Sequence, residues 1–273
     1  MSAVAATPAA NRGLRVTQAH VAVSEWTKLR SLRSSRYSLL ATVVLTIGFP
    51  LLFAMVISSH WGTMSPQDRA RRHPLDVALA GVNVSQLAIA VLGVLVISGE
   101  YSTGMIRATM IAVPRRLPVL WAKIGVFAVI TLVLTIPSVV VAFFASQAIL
   151  NRHHILQIGF SDPGVTRSVI GGALYLTVTG IFALAIGAIT RNTAGGIATF
   201  VGILFVIPPL MNVLPSNWNN SISPYLPSNA GRAIFSLTHD SGSLSAWPGF
   251  FLYCGYTAGL IAIAALLLTR RDT

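Results

Sequence analysis

Charge is what this sequence has least of. Asp, Glu, Lys and Arg make up 10% of the 273 residues, where a soluble domain carries about 25%. With mean hydropathy at +0.72, a water-soluble globule is excluded. Acids are the scarcer half, 7 Asp and Glu against 19 Lys and Arg. Lys28 and Lys123 are the only lysines, and neither closes a glycine-rich phosphate-binding loop, so an ATP that drove this protein would sit on another chain. A single cysteine, Cys254, excludes an intrachain disulfide and a cysteine metal cage, and reads as a small packing residue. The chain has no HExxH, no GxSxG and no acid pair at metal-ligand spacing. His153 and His154 are adjacent, so they do not share a helix face as a metal pair would. The first 37 residues carry no apolar core and no cleavage site, so no removable signal peptide is expected.

What the chain does have is long apolar runs. Six are long enough to cross a bilayer as helices, at 38–58, 77–98, 119–148, 166–189, 194–214 and 248–269. Backbone groups in lipid must be satisfied internally, and the period-2 alternation of a membrane barrel is absent. The expectation is an all-α integral membrane protein of six transmembrane helices. None of these six runs contains Asp or Glu, which argues against a proton- or ion-coupled carrier or a cation channel.

Thirteen of the Lys and Arg, including Arg30, Arg33, Arg36, Arg115, Arg116, Lys123 and Arg191, fall on the side that holds both termini and the 99–118 loop; six fall on the other. The positive-inside rule then places both termini in the cytoplasm. The stretch "DRARRH" at 68–73 runs against this trend. The net charge of +12 fits flanks that meet anionic headgroups, and no nucleic-acid motif accompanies it.

Residues 1–15, rich in Ala with Pro and Asn, read as a disordered tail. From 16 to 37 a helical wheel puts Val16, Ala19, Ala22, Val23, Trp26 and Leu29 on one arc and His20, Ser24, Thr27, Lys28 and Ser31 on the other. This predicts an amphipathic helix on the membrane surface, with Trp26 at headgroup depth and Arg30 and Arg33 reaching lipid phosphates. The remainder, 38–273, is the six-helix domain. Pro137 should kink the third span. Gly180 with Gly187, and Gly195 with Gly202, recur at seven residues, which allows close helix approach. Residues 208–248 are too polar and proline-rich to cross, and read as an ordered outer segment with short helices.

The stretch "GEYSTGMIRATMIAVPRR" between spans two and three raises the functional question. On a helix Glu100, Gly104 and Arg107 lie close to one face. Gly104 leaves that face open to close contact, and Pro114 ends the helix before Arg115 and Arg116. A short charged helix held between two spans suits docking to a soluble partner.

"SEWTKLRS" at 24–31, "GEYSTGMIRATM" after span two, "PRRLPVLWAK" entering span three and the long outer segment before span six together resemble an ABC-2 type transporter permease of the actinobacterial kind. The pattern carried by Glu100, Tyr101, Gly104 and Arg107 is also similar to a loop of G-subfamily ABC exporters. The resemblance covers nearly all of the chain beyond residue 15. It implies a bacterial plasma-membrane protein that moves an apolar or amphipathic substrate such as a drug, antibiotic, lipid or hydrophobic peptide. The 99–116 region would be the coupling helix against an ATPase subunit, and 16–37 the connecting helix. Glu100 and Arg107 would hold the joint in register, Tyr101 would pack at the interface, and Arg115 and Arg116 would meet the ATPase or lipid. Two ATPase subunits would bind ATP and Mg2+, with no cofactor in this chain, and a second permease subunit would complete the path. The alternatives are a membrane anchoring or assembly subunit without transport of its own, and a carrier not driven by ATP.

Overall fold

The computed structural model describes residues 18–102, 104, 116–153, 155, 158–213, 215–237 and 242–270, without the side chains of Arg71 and Arg116. Among them every regular element is helical. A surface helix α1 (Gln18–Ser31) leads, after the single extended residue Leu32, into α2 (Arg33–His60). A 3-10 turn (Trp61–Thr63) and the short α3 (Pro66–Arg71) connect to α4 (Pro74–Ser102). Then follow α5 (Arg116–Arg152) and α6 (Val165–Thr190). The fifth run is α7 (Thr193–Val201), a π-helical stretch (Gly202–Val206) and α8 (Ile207–Met211). Beyond it lie α9 (Ser216–Ile222), a 3-10 turn (Ser223–Tyr225) and α10 (Pro227–Arg232), before α11 (Ala246–Arg270).

Six of these stretches are long and apolar enough to cross a bilayer, and they fit a multi-pass membrane protein. Five of them cover an expected run and extend past it by one to five residues at each end, because the polar flanks continue the helix; the fifth stretch, expected to reach 214, ends at Met211. As a result α4 takes in Asp76 and Glu100 at its two ends, which the apolar run alone did not include. Exposed tryptophans mark both ends, Trp26 and Trp121 at one and Trp218 and Trp247 at the other, as interfacial aromatics do.

The two innermost spans are α4 and α6. Lipid tails are as apolar as leucine, so close backbone packing replaces hydrophobic driving force between the helices. A Cβ on Gly93 of α4 would collide with the carbonyl of Gly180 on α6. Gly187 likewise meets the backbone of Val94. Of the second expected glycine pair, Gly195 meets only its own helix cap and Gly202 faces open space; Gly196 between them is the one packed, against Val94. The π-helical stretch precedes Pro208 and Pro209. Their missing N–H groups break the ordinary ladder there, and Ile207 N–H bonds Gly202 instead. α5 stays helical through Pro137.

The segment before α11 is ordered wherever it is described. α10 is inserted among the spans: Ala230 and Ile234 are fully buried, and Gly231 lies so close to the rings of Tyr175 and Tyr253 that a Cβ there would clash with both.

Candidate functional site

The chain has only two glutamates, Glu25 and Glu100, and only two lysines. All four meet in one place. Glu25 and Lys28 come from α1, Glu100 from the last turn of α4, and Lys123 from the second turn of α5. Lys123 Nζ lies 2.5 Å from Glu25 Oε2 and 3.0 Å from Glu100 Oε1. Lys28 Nζ lies 2.8 Å from Glu25 Oε1 and 2.9 Å from Glu100 Oε1. The four charges alternate in sign around a ring and sum to zero, and each side chain touches two of opposite sign. The side chains of Glu25, Glu100 and Lys123 are 2%, 6% and 3% exposed, and that of Lys28 is 23% exposed.

Local sequence explains how the ring is built. Val21, Glu25 and Leu29 stand at four-residue spacing on α1 and are buried against the spans, while Val23 and Trp26 of the expected apolar arc are 64% and 48% exposed. The expected division of α1 is therefore corrected. Its inward face is an i, i+4, i+8 stripe that includes an acid, and Lys28, expected on the outward polar arc, turns toward Glu25 and Glu100. Arg30 and Arg33 are exposed. Burial works against the charge of Lys28, but its hydrogen bonds to Glu25 and Glu100 and the charges of both acids outweigh it and hold the ammonium above its ordinary pKa of 10.5.

Buried ions are tolerated only when paired, and removing one partner of such a pair costs about 3–5 kcal/mol. The ring thus fixes α1 against the two helix ends that carry the 103–115 loop. Glu100 Oε2 is buried without a hydrogen-bond partner among the described residues. Next to the ring, at the corner of α1 and α2, is a cavity of about 160 Å³ lined by Ser34, Ser35, Leu95 and Glu100 among others. It has room for about five waters.

The helix expected to carry Glu100, Gly104 and Arg107 on one face does not run that far. α4 ends at Ser102, and Gly104 has φ +71, with its N–H on the Tyr101 carbonyl at 3.3 Å. Glycine serves here as a left-handed turn residue after the helix end, not as an opening for close contact. Arg107, Arg115 and Pro114 lie outside the described residues, as does the side chain of Arg116.

Tyr101 continues the site on the other side. Its ring is 5.1 Å from the Arg191 guanidinium carbon, and Arg191 Nη2 donates to the Leu267 carbonyl of α11 at 3.3 Å. Arg191, the C-cap of α6, has φ 52 and is the one non-glycine residue with positive φ among those described. Ser98 and Thr193 join α4 to α7 at 2.8 Å nearby.

Glu25, Lys123 and Arg191 were not singled out as site residues by sequence reasoning. For the first two the available signal was rarity, since a chain that uses arginine almost everywhere places both its lysines here. Among the described residues no group of three or more His, Cys, Asp or Glu side chains could hold a metal ion. Comparison with known proteins finds no matching family model and no matching curated protein.

Proposed function

We propose that this chain is the membrane-spanning permease subunit of an ATP-driven ABC exporter. In this reading the ring side of the molecule is cytoplasmic, and the loop between α4 and α5 seats in a separate ATPase subunit that binds ATP and Mg2+. The observation that carries the reading is the buried ring of Glu25, Lys28, Glu100 and Lys123. A loop pushed by a partner can move spans only if its two supporting helix ends act as one body, and the ring ties both ends to α1. α1 is the connecting helix on the inner membrane surface, with exposed Trp26, Arg30 and Arg33 in the headgroups.

The substrate is apolar or amphipathic and passes along a path shared with a second permease subunit. The polar groups that the spans carry away from their ends are hydroxyls and amides, without Asp or Glu, and most are engaged within the protein, as Thr46 is with Ser85 and Tyr175 with Gln86. Transport follows ATP-driven closure of the ATPase pair, passed through the loop to the ring and on to α4 and α5.

ATP turnover by the chain in lipid bilayers with its ATPase partner tests this. The wild type should show substrate-stimulated turnover, and Glu100→Ala and Arg107→Ala should assemble with the ATPase but lose most of that stimulation. Stable partner binding without any substrate-dependent turnover would favour an anchoring subunit. Transport that continues without ATP would favour a carrier.

A further inference from the structure

An ion at membrane depth is tolerated where it has a partner or a task. Arg69, Arg167, Arg191 and Arg232 each bury an Nε that has no hydrogen-bond partner among the described residues. The first three use another nitrogen: Arg69 donates to the Gly62 carbonyl, Arg167 to that of Ser236 and Arg191 to that of Leu267. Arg232, at the end of α10, reaches no carbonyl and no carboxylate among the described residues. The polar group beside it is the Tyr175 hydroxyl, which gives its own proton to Gln86 Oε1. Tyr175 therefore faces the guanidinium as a neutral acceptor, and the charge stays uncancelled. The ion pairs among the described residues all belong to the ring at the opposite end of the bundle.

The depth makes this costly. Tyr175 lies ten residues beyond Val165, the start of α6, about 15 Å along the helix in hydrocarbon roughly 30 Å thick. Arg232 thus stands beside the middle of a span. It is half-buried, and Nε is its one sealed nitrogen without a partner, so its terminal nitrogens open outward wherever Tyr175 does not meet them. Ser228, one turn earlier on α10, is 1% exposed, and its hydroxyl also has no partner among the described residues. Helical side chains lean back over the preceding turn, which brings the Arg232 head and Ser228 to one side of α10.

We propose that Arg232 is an anion site, and that it binds the carboxylate or phosphate head of an anionic amphiphile with the Ser228 hydroxyl as a second donor. A guanidinium presents paired N–H groups that match either head. A small inorganic ion would have to shed its water to reach this depth, whereas an amphiphile arrives with its apolar body in the hydrocarbon. The site requires only that the helices span a bilayer. That its ligand is the transported substrate rests on the exporter reading, and narrows that substrate to an anionic one.

The test uses the full chain in phosphatidylcholine bilayers, without ATP or an ATPase subunit, so that its failure and that of the exporter reading are told apart. Oleate, at about pH 9 to keep its carboxylate ionised in the bilayer, should bind saturably. Oleyl alcohol, the same chain without the charge, should bind roughly tenfold more weakly or worse. Arg232→Gln should raise the oleate dissociation constant by roughly tenfold or more, the loss of a charge-assisted contact. Arg232→Lys, which keeps the charge but not the fork, should weaken oleate by less and leave oleyl alcohol unmoved. Tyr175→Phe, which keeps the guanidinium, should leave oleate binding intact. Phosphatidylglycerol added to the bilayer separates the two sources of the head: displacement of oleate identifies a membrane lipid's phosphate, and no displacement a free amphiphile, with Arg232 the partner of both. Equal binding of oleate and oleyl alcohol, or an oleate dissociation constant unmoved by both Arg232 variants, overturns the proposal.

Discussion

The two ends of the bundle are held together by opposite means. At one end four ions from α1, α4 and α5 form a closed ring beside a cavity wide enough for water. At the other, α10 is wedged against α6 and α11 by aromatic rings and hydroxyls, with its Arg232 guanidinium beside Tyr175. Tyr175 donates to Gln86 at 2.5 Å, Tyr253 to Thr179 at 3.1 Å, and the rings of Tyr175 and Tyr253 stand 5.7 Å apart. Breaking one pair of a buried ring leaves an unpaired charge, so its members hold or fail together. A cluster of hydroxyls and aromatic rings loses one hydrogen bond at a time, each worth about 1 kcal/mol. The difference makes the ring one strong tie of α1 to both helix ends and the α10 end a sum of small contributions.

The sharpest way to break this contrast is to unbalance the ring. Lys123→Met leaves two buried carboxylates with one lysine, and should destabilise the folded state by about 3–5 kcal/mol, measured as the shift of the unfolding midpoint in mild detergent. Adding Glu25→Gln restores neutrality around the Lys28–Glu100 pair and should recover most of the loss; no recovery would show that packing, not charge, is at work. Smaller effects belong to the neutral framework. Gly93→Ala forces α4 from the Gly180 carbonyl and should cost about 1–3 kcal/mol by the same measurement. Tyr175→Phe, which strips Gln86 Oε1 of its donor, should cost about 1 kcal/mol and leave ATP turnover stimulation intact, whereas ring variants lose it.

The smallest effect depends on pH. The folded-state pKa of Lys28 is raised above 10.5, so its stabilisation is fully present below that value and is lost as pH rises through the folded pKa. The stability difference between wild type and Lys28→Met should hold constant from pH 7 to about 10 and narrow above it. A difference that does not narrow as pH rises above about 10 would contradict the pairing.

The spans were legible because twenty apolar residues in a row have few other uses, and hydropathy reads them directly. The face of α1 was not. A wheel sorts residues by polarity, and Glu25 is buried against the spans where Lys123, 98 residues away, meets it. Such a partner leaves no local trace. Gly104 shows a related limit: helical spacing joined it to Glu100 and Arg107, while its backbone takes the left-handed conformation that ends a helix. The insertion of α10 was half legible. Its proline-rich composition excluded a span, but only the contact of Gly231 with two tyrosine rings shows how deeply it enters.

The most direct test of the central claim is a double-mutant cycle on the proposed substrate-stimulated ATP turnover, with Glu25→Gln, Lys123→Met and both together in the complex with the proposed ATPase subunit. The account predicts that each single variant assembles but loses most of the stimulation, and that the neutral double variant regains a large part of it. Single variants that assemble and couple as well as the wild type would contradict it, and the ring would then be a static brace with no part in transport.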